Sequence, residues 1–142
     1  MGLRDNLQVI AEDLGKSQLG DVLRANRTWD PTISSVIVAE GLLMYLPSTA
    51  VKSLLKQCAS ISGTGSRLAF TYIGTRANDQ PDAAPRTGLV LWLLKVSGEP
   101  WLWSIRPDEL GSFLKKNNWT IAPDQMASSG KFGVEFFDVA LK

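Results

Sequence analysis

The feature that most constrains the fold is a strand, a helix and a second strand in quick succession. Residues 34–39 form a short, β-branched apolar run that stops at Glu40-Gly41, which is typical of a buried strand. Pro47-Ser48 then opens a helix whose apolar residues recur at three- and four-residue intervals, and residues 66–73 have the pattern of a strand covered on both faces. Such a succession favours a right-handed βαβ unit with parallel strands, so the sequence predicts an α/β fold.

The remaining elements are predicted from weaker patterns. Leu110, Phe113 and Leu114 mark the inner face of a helix that starts near Pro107. Residues 119–122 and 134–141 are predicted as closing strands joined by a turn at 128–131, residues 75–86 as a loop, and residues 87–96 as a helix or a lid. Residues 7–11 fit a strand or a helix, and we favour the strand because of the resemblance given below.

Composition restricts the function more than it restricts the fold. The chain has 142 residues, of which 44% are apolar, and this suits one domain over residues 1–142. A net charge of +1 argues against a nucleic acid or a membrane as partner. The chain has no histidine, which excludes Ser-His and Cys-His catalysis and disfavours a metal site. One cysteine, Cys58, cannot form an internal disulfide, and with no basic-apolar leader we predict a cytoplasmic protein.

One long motif resembles a known family. Residues 39–47 are Ala-Glu-Gly-Leu-Leu-Met-Tyr-Leu-Pro, and together with Gly65–Phe70 they resemble the leucine carboxyl methyltransferase-like family of S-adenosylmethionine-dependent enzymes. The resemblance extends to Asp30-Pro31-Thr32, Gly98-Glu99-Pro100 and Pro107–Leu110. It implies a Rossmann-like methyltransferase sheet that is incomplete, because the family's first strands and glycine-rich loop have no counterpart here.

Cofactor contacts are predicted at two places. The resemblance implies that Asp13 and Leu14 lie beside the adenine of S-adenosylmethionine, although Asp13 also suits a helix cap or a solvated turn. Glu40 and Gly41 end a parallel strand, at the edge where ligands bind in open α/β sheets. Glu40 therefore is the strongest candidate, and the alternative for it is a structural carboxylate that holds backbone amides.

Aromatic side chains supply the candidates for substrate binding. Tyr45 and Tyr72 follow or end the predicted strands, and Trp101 and Trp103 suit the wall of a pocket, although all four also suit the hydrophobic core. No residue is singled out as catalytic.

The implied reaction transfers a methyl group to an oxygen, and a carboxylate acceptor needs no general base. The alternative function is a non-catalytic α/β module for dimerisation or binding. In the usual order of family strands, the strand at 36–38 has an unpaired edge here, so we expect either a homodimer or a missing N-terminal half as partner.

Overall fold

The computed structural model describes residues 7–13, 17–76, 80–83, 87–123, 130–132 and 134–142. Four helices and five strands follow one another in these segments. In chain order they are α1 (Leu19–Ala25), β1 (Val36–Ala39), α2 (Ser48–Ser60), β2 (Arg67–Ile73), α3 (Thr87–Val96), α4 (Pro107–Lys116), β3 (Thr120–Ile121), β4 (Gly130–Phe132) and β5 (Glu135–Leu141), with a 3₁₀ turn at Leu43–Tyr45 between β1 and α2.

The strands form one mixed sheet in the order β1-β2-β5-β3, and β4 also pairs with β5. β1 and β2 are parallel, with Val36 opposite Arg67 and Ala39 opposite Phe70. β5 runs antiparallel to β2, to β3 and to β4. The parallel βαβ unit predicted from the sequence is therefore confirmed, and it forms one side of the sheet.

The core lies on one face of this sheet, which we call the inner face. Leu68, Phe70 and Tyr72 of β2 point to it and pack in one cluster with buried residues of α2 and α4. The stripe of α2 that contributes Val51 and Leu55 keeps the three- and four-residue spacing of its sequence. At about 25 cal/mol per Å² of apolar surface removed from water, this cluster is the main source of stability of the fold.

The opposite face of the sheet, which we call the outer face, is open on the β1 side. Val36 and Val38 alternate with the core residues of β1 and keep 72% and 67% of their surface exposed. Their neighbours Ala69 and Thr71 on β2 are half-buried. None of these four residues belongs to the core cluster.

Two sequence predictions were wrong, and one helix was missed. Residues 7–13 form neither the favoured strand nor a helix and are exposed, whereas α1, which was not predicted, is a seven-residue helix. Gly130 and Lys131 lie in β4 rather than in a turn, and the other two residues of that predicted turn, 128 and 129, lie outside the described residues. Residues 87–96 are helical, so of the two alternatives the helix is confirmed.

In the part of the chain that the structure describes, no helix has the length and apolarity needed to span a membrane.

Candidate functional site

The candidate site is built on the turn that follows β1. Gly41 has a φ of +60°, a left-handed conformation that costs any residue with a Cβ about 1 kcal/mol or more. Its backbone N–H donates a hydrogen bond of 2.8 Å to Thr71 Oγ1 on β2, so the turn is fastened to the neighbouring parallel strand. Glu40, the residue just before it, is exposed at the carboxyl end of β1.

A cavity of about 390 Å³ opens beside this turn at the outer face. Two acidic residues, Glu40 and Glu135, line it together with the aromatic Phe137. Val38, Ala69, Phe70, Thr71 and Phe136 complete the lining. A mostly apolar pocket with a few charged groups is the usual form of a small-molecule site, and two carboxylates favour a ligand that carries positive charge.

A second cavity, of about 600 Å³, is lined by Tyr45 of the 3₁₀ turn, Leu102 and residues 98–100. The backbone N–H groups of Leu102 and Trp103 donate hydrogen bonds of 2.7 and 3.2 Å to the carbonyl of Met44. These bonds hold the segment that carries the second cavity against the segment that carries Glu40. Tyr45 keeps 38% of its surface exposed at this cavity.

Tyr72 and Trp103 are packed in the core. Tyr72 stacks on Phe136 with 5.3 Å between ring centroids, and burial together with the charge of Asp138 raises its pKa to about 12. Trp103 packs against Phe113 at 5.5 Å. Neither ring lines one of the two cavities, so the structure does not bring these two residues together with Glu40 and Tyr45.

Trp101 is half-buried, and its Nε1 is buried without a hydrogen-bond acceptor among the described residues. A buried donor without a partner is rare in folded proteins and disfavours the conformation by about 1–3 kcal/mol. Trp101 lies between Pro100 and Leu102, both of which line the second cavity. It therefore remains a candidate for substrate binding next to that cavity.

Of the two N-terminal candidates, Asp13 and Leu14, the structure describes only Asp13. Asp13 is exposed, and its carbonyl accepts a hydrogen bond of 2.9 Å from the N–H of Ser17. Leu14 lies outside the described residues. Neither cavity has Asp13 in its lining, so its assignment to the adenine stays a prediction.

Cys58 is buried on the inner side of α2, and burial raises the pKa of its thiol to about 11. A thiol with such a pKa is protonated at neutral pH and is a poor nucleophile.

Sequence reasoning missed the residues that complete the first cavity. Thr71 could have been predicted from the sequence. It lies between the apolar residues Phe70 and Tyr72 of the strand pattern, so its side chain is on the face of the sheet that also carries Val38. Glu135 and Phe137 come from β5, whose pairing with β2 places them beside Ile73 and Thr71. A long-range antiparallel pairing of this kind has no local signal in the sequence.

Comparison with known proteins finds a family model that matches the first part of the chain. Residues 1–59 match the family model of leucine carboxyl methyltransferase. A protein of Frankia alni, named as a candidate S-adenosyl-L-methionine-dependent methyltransferase, is 39% identical over 77 residues, which are 52% of this chain and 27% of that protein. A protein of the same description from Streptomyces avermitilis is 38% identical over an equal length. The resemblance found in the sequence is thereby confirmed.

Solved structures with a similar fold include one that is named as a methyltransferase. The chain superposes on TnmH with a TM-score of 0.52 at 15% identity, over 78% of this chain and 32% of that one. For CalO1, a methyltransferase of calicheamicin biosynthesis solved in its SAH-bound form, the TM-score is 0.51 at 11% identity, over 75% and 29%. The Rossmann-like α/β fold is shown by these similarities. The chain spans about a third or less of the relatives and structures that it matches here.

Proposed function

We propose that this chain contributes to an S-adenosylmethionine-dependent methyltransferase site and contacts both the cofactor and the acceptor, because residues 1–59 match the family model of leucine carboxyl methyltransferase. The observation that supports this most is the turn at Glu40-Gly41. It places a carboxylate at the end of a parallel strand and at the mouth of an apolar cavity, inside the segment that matches the family.

The residues present suit this cofactor. S-adenosylmethionine, when bound, supplies a methyl group on a positively charged sulfonium. Glu40 and Glu135 give the cavity two negative charges, and the apolar wall excludes water from part of it. In this proposal Glu40 holds a positively charged group of the cofactor, and the hydrogen bond between Gly41 and Thr71 keeps the Glu40 backbone in place.

The acceptor is proposed to present an oxygen, as in carboxyl methylation. An ionised carboxylate acceptor needs no base, which suits a chain without histidine. Tyr45 and the second cavity are proposed as the place where the acceptor binds, because Tyr45 is exposed there and the cavity is held against the Glu40 segment. A carboxylate acceptor is expected to be repelled from the first cavity, because two glutamates, Glu40 and Glu135, line it.

A second candidate function is a non-catalytic α/β binding module. It is favoured by the open β1 side of the sheet, because Glu40 is exposed there and the described residues enclose the first cavity only in part. For this alternative the partner is either a second copy of the chain or an N-terminal half of a methyltransferase.

Isothermal titration with S-adenosylmethionine and with S-adenosylhomocysteine tests the proposal. We expect micromolar binding that Glu40→Gln weakens by about tenfold, the loss of roughly one charge-assisted contact. Glu109→Gln is the control, because Glu109 is exposed on α4 and lines neither cavity. If neither ligand releases heat at millimolar concentration, the chain alone has no cofactor site and the binding-module alternative is favoured.

A further inference from the structure

The second cavity is built on the carboxyl end of α3. The N–H of Gly98 donates a hydrogen bond of 3.3 Å to the carbonyl of Lys95, and the N–H of Glu99 donates one of 2.9 Å to the carbonyl of Leu94. Together with the φ of +82° at Gly98, these two bonds form a Schellman motif, a common way for a helix to end. Gly98 and Glu99 also line the cavity, so the end of the helix is part of its wall.

The electrostatic potential at this wall is expected to be negative. A helix carries about half a negative charge at its carboxyl end, because the last carbonyls have no further turn of helix to bond. Glu99 adds a negative charge, and none of the ion pairs between described residues includes it. Lys95, in the last turn of α3, is exposed and does not line the cavity. The wall at residues 98–99 therefore favours a positively charged group.

The rest of the lining suits an apolar molecule. Leu102 keeps 55% of its surface exposed, and Pro100 is exposed as well. Tyr45, which also lines the cavity, is aromatic, and cations are attracted to the faces of aromatic rings. A volume of about 600 Å³ is within the usual range of small-molecule sites. The cavity thus combines an apolar wall with one negatively charged end.

We infer that the second cavity binds a ligand that joins a positively charged amine to an apolar body, with the amine beside Glu99. The inference rests on the proposed function only in naming this ligand as the methyl acceptor. An elongated acceptor can hold its amine at the end of α3 and present its oxygen on the side of Tyr45, whose 3₁₀ turn follows the Glu40 segment. The acceptor class is therefore an aminocarboxylate with an apolar body.

Nuclear magnetic resonance titrations with three probes of similar size test the inference. The probes are phenethylamine, phenethyl alcohol and phenylpropionate, which carry a positive charge, no charge and a negative charge. We expect phenethylamine to bind about fivefold more tightly than phenethyl alcohol, and phenylpropionate to bind most weakly. The backbone N–H resonances of Gly98, Glu99 and Leu102 should shift, because these residues line the cavity. Glu99→Gln should remove most of the preference for the amine.

Two matched variants complete the design. Glu109→Gln controls for the change in overall charge, because Glu109 is exposed on α4 and lines neither cavity. Glu40→Gln separates the two cavities, because the first cavity is also lined by acidic residues. Both variants should leave the affinity for phenethylamine and the shifts at residues 98–102 unchanged. Circular dichroism and thermal unfolding verify that all three variants fold.

Four results would overturn the inference: no binding of phenethylamine, equal affinity for the amine and the alcohol, a preference for the amine that Glu99→Gln leaves unchanged, or one that Glu40→Gln removes. The last of these would identify the first cavity as the amine site. The titrations contain no S-adenosylmethionine, whose binding is measured separately. A Glu99-dependent preference in a chain that does not bind the cofactor refutes the proposed function but not the ligand class, and cofactor binding without that preference does the reverse.

Discussion

At the scale of single residues, Asp138 is the one carboxylate that is buried among the described residues. Its side chain is buried on the inner face of β5, where Oδ1 accepts a hydrogen bond of 2.9 Å from the N–H of Val139. Burial raises the pKa of Asp138, and the bond from Val139 offsets only part of this effect. The ionised form at neutral pH therefore is less favourable in the folded chain than in the unfolded chain.

We predict that Asp138→Asn stabilises the protein at neutral pH. Because folding raises the pKa of Asp138, the folded chain is relatively most stable below pH 3.8, the pKa in the unfolded chain. This contribution to the free energy of unfolding is lost as the pH rises through the pKa in the folded chain. The variant should thus raise Tm by roughly a few degrees at pH 7, and the gain should vanish below pH 3.8. Thermal unfolding across pH measures this, with the exposed Asp21→Asn as control. A lower Tm at pH 7 would show that the carboxylate holds a contact that the fold needs.

At the scale of elements, the end of α2 is fixed by a close approach of two backbone segments. The N–H of Gly63 donates a hydrogen bond of 3.0 Å to the carbonyl of Ile33, just before β1. A Cβ at Gly63 would lie 2.1 Å from the carbonyl oxygen of Thr32, which no rotamer change can relieve. This glycine therefore sets how α2 returns to the sheet.

Gly63→Ala is predicted to destabilise the fold by about 2 kcal/mol or more, because backbone must move to make room. Gly88→Ala is the matched control: a Cβ there meets no atom within 4 Å, and the position is in α3, so a gain of about 0.5–1 kcal/mol is expected. Urea unfolding of both variants gives the comparison. Equal stability of Gly63→Ala and the parent would mean that residues 32–33 shift freely.

Elements with a long periodic pattern were predictable, and short or non-local ones were not. α2 has thirteen residues and a clear stripe, whereas α1 has seven and offers too few repeats to separate it from a loop. β4 has three residues and exists through its pairing with β5. For the site, Glu40 and Gly41 could be predicted because they come at the end of one strand. Glu135 could not be predicted, because its position at the cavity depends on pairing with Ile73, more than sixty residues earlier in the chain.

At the scale of the whole molecule, the stability is expected to be uneven. The core cluster joins β1, β2, β5, α2 and α4, and no residue of α3 belongs to it. α3 is mostly apolar, with Lys95 as its one charged residue: Leu89, Trp92, Leu93 and Val96 are exposed, and within the helix only Thr87 is buried. A helix of this kind is normally covered on every side.

We predict that the amides of α3 exchange with solvent much faster than those of α2, because few buried contacts must break to open α3. Hydrogen-exchange mass spectrometry compares the two helices within one molecule, so each serves as the other's control. Equal protection at high protein concentration that falls on dilution would mean that contacts between copies cover the exposed stripe of α3. Equal protection at every concentration would contradict the prediction, because α3 would then open only when the core itself unfolds.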